Sequence, residues 1–232
     1  MNKYFINEDE VFALNDELSV TVETIDSLDR KIVIVDNFYK NPEQVRDLAL
    51  RIPPSFNERI RTRLPAPRVN AFYLMDHMGY IFDQIIRDVW PEHTTEIPVN
   101  HFFDVFRDAT FVVNVMNDRF LEPRPPHIDF PDPRCFAAMI YLNTPEECQG
   151  GTGFYTFNGQ DCGTEVSKSL SDNGVPTDEY IIGDMGDWKM HYMSEMKWNR
   201  MVLYQANLYH SAHITKGMYS GDLYRLNQMF FI

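Results

Sequence analysis

A histidine and an aspartate two positions apart, His127 and Asp129, stand in the proline-rich run Pro125-Pro126-His127-Ile128-Asp129-Phe130-Pro131. In an extended backbone, residues i and i+2 point to one face, so an imidazole and a carboxylate can be aimed at a single point. The prolines stiffen the approach and lower the entropy cost of holding that geometry. A third donor is offered by His210, in Leu208-Tyr209-His210-Ser211, with His213 as its competitor. Two histidines and one carboxylate on one face, with open positions opposite, select non-haem Fe(II) for oxygen chemistry. The His-x-Asp spacing also occurs in surface turns and caps, so its surroundings have to carry the functional reading.

Strand-like apolar segments flank the pair, Phe111 to Asn117 before it and Cys135 to Leu142 after it. Earlier in the chain, Lys31 to Asp36 is a buried strand by its β-branched content. Asn41-Pro42 starts a helix, with Asn41 as cap and Pro42 at the first position. Val45, Leu48, Ala49 and Ile52 then make one apolar face, and Pro53-Pro54 stops it. Asp76 to Trp90 reads as a second helix, with Ile81, Ile85 and Val89 aligned. Leu18 to Val22, Val69 to Leu74, Val99 to Phe106, Gly150 to Tyr155, Arg200 to Asn207 and Leu223 to Ile232 read as strands. Phe157 to Thr177 is a long polar excursion. Gly183 to Asn199, with Trp188, Tyr192 and Trp198, is expected to hold a short helix and a lid, or irregular cover over the core. Helices followed by many strands imply a mainly β fold with flanking helices, a sandwich or jelly roll. One domain is expected over 1–232, with 1–96 giving outer strands and supporting helices and 97–232 giving the core.

Composition bounds the function. Of 232 residues, 44% are apolar, enough for a full core, and 17 Phe with 12 Tyr favour strands. The net charge of −13 argues against a global nucleic-acid surface. The local exception is Arg51 to Arg68, with five arginines against one acid, Glu58. It is either a solvated face or a patch for an anionic substrate or partner. Three cysteines with no Cys-x-x-Cys indicate neither a disulfide framework nor a zinc knuckle. Met1 to Glu10 lacks the apolar core of a signal peptide, and no apolar run is long enough to span a membrane. A soluble cytoplasmic protein is the expectation.

His127-Ile-Asp129, Tyr141-Leu-Asn143, Gly150-Gly151-Thr152, the run Asn199 to His210 and then Arg225 together resemble the Fe(II)/2-oxoglutarate dioxygenases, most of all their prolyl-4-hydroxylase-like branch. The likeness covers about Asn114 to Ile232, with a fainter echo over Ile32 to Ala49. It implies a double-stranded β-helix (jelly-roll, cupin-like) core. It also implies iron ligands His127, Asp129 and His210, with Arg225 pairing the distal carboxylate of 2-oxoglutarate and Tyr141 hydrogen-bonding the same group. A guanidinium suits that task, being a planar two-pronged donor. Arg225, Asn227 and Met229 share one face of the last strand. The interval from His210 to Arg225 is longer than is usual in that branch, which keeps Lys216 as a second carboxylate partner.

The activity so implied is oxidation of a C–H bond using O2, with release of succinate and CO2. Asp129 favours hydroxylation, because related halogenases carry a small residue there. The prime substrate is open between small molecules and protein side chains, with Arg51–Arg68 and Trp188/Trp198 as places for its contacts. Two rivals belong to other classes: a non-catalytic jelly-roll module binding a metal or small acid, and a zinc hydrolase, which leaves Tyr141 and Arg225 unexplained. His77, His93, His101 and His191 read as structural or surface residues.

Overall fold

The computed structural model describes residues 5–54, 68–93, 111–118, 126–162 and 182–232. The strand expected at Val99 to Phe106, His101, Arg59, Arg61, Arg63 and most of the Phe157–Thr177 excursion lie outside the described residues.

The described chain is mainly β. Ten strands form two antiparallel sheets. The larger contains β1 (Ser19–Ile25), β2 (Arg30–Asp36), β3 (Arg68–Ala71), β4 (Phe111–Met116), β5 (Phe136–Tyr141), β8 (Met201–Gln205) and β10 (Arg225–Phe231), in the order β1-β2-β8-β5-β10-β4-β3. The smaller has β6 (Gly151–Phe157) between β7 (Trp188–Glu195) and β9 (His210–His213). The helices are α1 (Glu8–Val11), α2 (Pro42–Arg51) and α3 (Asp76–Val89). None of the described helices is long and apolar enough to cross a membrane.

The central strands are apolar on both faces because both are covered. Val33 and Val35 of β2, Ala138 and Ile140 of β5, Leu203 of β8 and Leu226 and Phe230 of β10 pack with Val45 and Leu48 of α2 and Phe82, Ile85 and Ile86 of α3. The alternate residues, Ile32, Met139, Tyr141, Val202, Tyr204 and Phe231, turn the other way and meet Phe154 of the small sheet. The period of two thus sorts each strand between a helix side and a space between the sheets. The candidate functional residues fall in that space.

Most expected elements sit where the pattern put them, within a residue or two. At α2, Pro42 starts the helix, but Asn41 makes no side-chain cap and instead donates to the Glu10 carbonyl, tying α1 to α2. Gly183–Asn199 is a correction, since it forms strand β7 rather than a helix. β6 needs partners for its backbone groups on both edges, and β7 supplies one edge along its whole length.

The corner at Asn199-Arg200 joins the central strands. Asn199 adopts a positive φ of 57° and exchanges side-chain hydrogen bonds with the Tyr39 backbone, at 2.9 and 2.8 Å. Its amide donates to the Tyr141 carbonyl, and the Tyr141 amide donates to the Arg200 carbonyl. The Arg200 guanidinium grips Asp36 with two nitrogens. That grip holds the Asp36 carboxyl below its usual range.

Two stability predictions follow from this packing. Phe82 is fully buried, stacked on Phe38 at 6.1 Å and tilted against Phe230 at 5.2 Å. Phe82→Ala is expected to cost about 3–5 kcal/mol in urea denaturation, whereas Tyr80→Ala, at a site 67% exposed, is expected to stay within about 0.5 kcal/mol. A depressed folded pKa at Asp36 adds stability above the unfolded carboxyl value, near 4, and loses it as pH falls through the folded value. Asp36→Asn is therefore expected to cost about 1 kcal/mol near neutrality, a figure discounted for the half-exposed carboxylate, and to converge with wild type as pH drops below about 4.

Candidate metal centre

Backbone pairing brings the distant segments together. His127 and His210 form an isolated antiparallel bridge, each amide donating to the other's carbonyl at 2.9 Å. Two residues on, the Asp129 amide donates to the Ala206 carbonyl, also at 2.9 Å. Ile128 between them is buried on the opposite side. The extended His-x-Asp geometry expected from the sequence is therefore fixed by the segment linking β8 to β9.

His210 sits at the start of β9 opposite Phe154 of β6. Its Nδ1 lies 2.9 Å from the Leu208 carbonyl. A carbonyl only accepts, so Nδ1 carries a proton, and Nε2, turned toward Asp129, is the nitrogen that would coordinate a metal once its own proton is displaced. Nε2 lies 3.3 Å from Asp129 Oδ2, and His127 Nε2 lies 3.8 Å from Asp129 Oδ1. The three ligand atoms lie within 4.8 Å of one another. Adjacent donors sharing one ion at about 2.1 Å stand roughly 3 Å apart. His210 and Asp129 already approach that spacing, and His127 stands somewhat farther off.

Burial alone would push the Asp129 carboxyl up, but His210, His127 and Arg68 together hold it below the usual range. Burial likewise pulls His210 down, and Asp129 with the Leu208 carbonyl reverses the direction. His210 is therefore the member of the His210/His213 pair that joins the cluster. His213, an odd number of residues along β9, falls on the other face, and burial lowers its pKa.

Arg225 is 3% exposed. Its Nη1 donates to Asn227 Oδ1 at 2.7 Å and its Nη2 to the Gly151 carbonyl at 3.3 Å, while Cζ lies 5.6 Å from the Tyr141 ring centre. Nε has no partner, and among the described residues no carboxylate pairs with this guanidinium. Gly151 is also what lets β7 pair closely with β6, because a Cβ there would run into the Ser194 carbonyl. Lys216, the other expected carboxylate partner, is exposed in the turn after β9.

Tyr141 is fully buried, and burial raises its phenol. Its hydroxyl lies 2.7 Å from Thr152 Oγ1, which is 3.2 Å from Met139 Sδ. A thioether has no proton to give, so Thr152 donates to Met139 and accepts from Tyr141. Tyr204 joins the two halves of the site. Its ring is 4.8 Å from that of His210, and its phenol feels both Asp129 and Arg225.

Sequence reading missed Thr152 and Asn227 as parts of the site. Position alone offered a signal, since Thr152 follows the Gly-Gly pair and Asn227 shares the Arg225 face. Trp188 is placed elsewhere, packing with Tyr155, Phe157 and Tyr209 in a cluster separate from the space between the sheets. His77 meets the Phe12 carbonyl, and His191 lies between Ser27 and Thr156, both structural contacts.

Cobalt(II) titration followed by its visible bands is expected to saturate at one ion per chain. Asp129→Ala is expected to weaken binding at least tenfold, and His213→Ala to leave it unchanged, because only the first removes a donor.

Residues 16–222 match the model of a family described as "Family of unknown function (DUF6445)". No curated protein matches the chain. Among solved structures, IDO from Bacillus thuringiensis aligns over 97% of this chain and 81% of its own, at 12% identity and a TM-score of 0.30, a likeness too weak to argue from.

Proposed function

We propose that this chain, which belongs to the DUF6445 family, is a non-haem Fe(II)- and 2-oxoglutarate-dependent dioxygenase that hydroxylates a C–H bond. The observation that carries the reading is a buried guanidinium, Arg225, that among the described residues has no carboxylate partner and lies on the between-sheet side with the His127, Asp129 and His210 donors. A buried cation left unpaired is costly, and a dicarboxylate bound at the neighbouring metal would offset that cost. On this reading the two sheets are the walls of a double-stranded β-helix. The segments before about residue 97 belong to the same domain as its support, and the protein works in the cytoplasm.

Fe(II), when bound with 2-oxoglutarate and O2, supplies the oxidation of the C–H bond with release of succinate and CO2. The protein's own contribution is binding and exclusion of water. His127, Asp129 and His210 hold the metal. Leu208 fixes the His210 tautomer through Nδ1. Arg225 receives the distal carboxylate on its free Nε edge, with Asn227 and the Gly151 carbonyl holding the guanidinium in plane. Tyr141, whose hydroxyl lies against Thr152, would offer that carboxylate a second hydrogen bond. Met139, Phe154, Tyr204 and Phe231 wall the space with apolar surface, which strengthens every charge interaction inside it. Asp129 would supply a protein oxygen to the metal, which favours hydroxylation over halogenation.

The reading is tested by anaerobic addition of Fe(II) and 2-oxoglutarate, watching for the metal-to-ligand charge-transfer band in the visible region. Wild type is expected to show the band, and His127→Ala and Asp129→Ala to lose it. Arg225→Ala is expected to need at least tenfold more 2-oxoglutarate. A colourless wild type, or a band that survives loss of Asp129, would sink the proposal. Succinate formed without any added prime substrate separates the enzyme from a binding module that holds a metal and a small acid without turnover.

A further inference from the structure

The inner face of the large sheet carries a second guanidinium. Arg68 opposes Asn114 in β4, Asn114 opposes Asn227 in β10, and Asn227 opposes Tyr141 in β5. Directly opposed residues of antiparallel strands share a face, so Arg68 belongs to the same polar row as Asn227 and Tyr141. The Asn114 side chain confirms the direction by reaching Met229, two residues from Asn227, at 2.6 Å. Arg68 is half-buried, and among the described residues its guanidinium has one charged neighbour, Asp129, and no hydrogen-bond partner. Burial disfavours its charge, and only Asp129 opposes that effect.

Arg225 and Arg68 start two strand spacings apart across the sheet and two residues apart along it, about 12 Å in all. One faces Tyr141 and the other faces the ligand carboxylate, so they are placed to serve different anions. Charge counting points the same way. A dication, a dicarboxylate cosubstrate, the Asp129 carboxylate and two guanidiniums leave one positive charge uncancelled among the described residues. With a metal on the Asp129 oxygens, Arg68 would be left without a counter-charge among the described residues.

We propose that Arg68 is a specificity-determining residue that binds an anionic group, a carboxylate by the fit of the planar fork, on the substrate to be oxidised. The proposal rests on the dioxygenase reading for what happens next to that substrate. The anion site itself stands on the sheet register. Apolar residues packed against the same between-sheet cluster, Phe130 and Met229, suit an aliphatic chain attached to the carboxylate.

The test uses hexanoate and its neutral partner hexanamide as probes. Binding to the anaerobic protein, loaded with Fe(II) and 2-oxoglutarate, is measured by calorimetry. Wild type is expected to bind hexanoate at least tenfold more tightly than hexanamide, and Arg68→Met to lose that preference while keeping its charge-transfer band. Arg68→Lys keeps the charge without the fork. It is expected to bind hexanoate several-fold more weakly than wild type with its hexanamide affinity unchanged, which also covers a poorly folded Met variant. No preference in wild type, or the same preference in Arg68→Met, overturns the proposal. So does a lost band with an unchanged preference, which would make Arg68 a support for Asp129 alone. The calorimetry does not depend on colour. A colourless wild type that still distinguishes the probes through Arg68 would refute the dioxygenase and leave the anion site standing.

Discussion

Charge buried between two apolar layers is the constraint on which the rest of the structure depends. Asp129, His210 and Arg225 are withdrawn from water together, and each would be costly to bury alone. Their arrangement offsets much of that cost. Asp129 lies against two imidazoles and within reach of Arg68, His210 is tied to a backbone carbonyl, and Arg225 lies on an aromatic face with a side-chain amide in plane. What the protein leaves uncompensated is as informative. Among the described residues, one edge of Arg225 and the guanidinium of Arg68 have no hydrogen-bond partner, and both lie on the same face of the sheet.

The strands make that space by division of labour. On one side the large sheet packs against α2 and α3 and carries most of the burial that stabilises the fold. With that side closed by helices, the other face is free to carry polar residues in register, the row Tyr141, Asn227, Asn114 and Arg68. Polar residues in mid-strand are tolerated there because they bond to one another or to the small sheet, as Asn227 does with Arg225 and Tyr141 with Thr152. The small sheet contributes backbone as much as side chains, with the Gly151 carbonyl meeting Arg225 and β9 delivering His210.

Much of this was legible in the chain. The β-branched run at Lys31–Asp36, the apolar face of Val45, Leu48, Ala49 and Ile52, and the alternation in Leu223–Ile232 are local patterns, and local patterns survive folding. His127 and Asp129 were readable as a pair because their spacing alone puts them on one face. Gly183–Asn199 misled because its aromatic and methionine residues suit either a helix or a strand. The choice was made by β6, whose free edge no local pattern in that stretch announces. β9 escaped notice because four residues carry no periodicity to read.

The sequence by itself determined which side chains were available, which strands alternate, and that His127 and Asp129 share a face. The tertiary structure alone put His210 rather than His213 beside Asp129, buried Arg225 while leaving Lys216 exposed, and put Arg68 on the inner face. Those choices depend on strand register and on which edge a distant strand takes. One residue of slip would reverse them all, and register is set by pairing between segments that lie far apart in the chain.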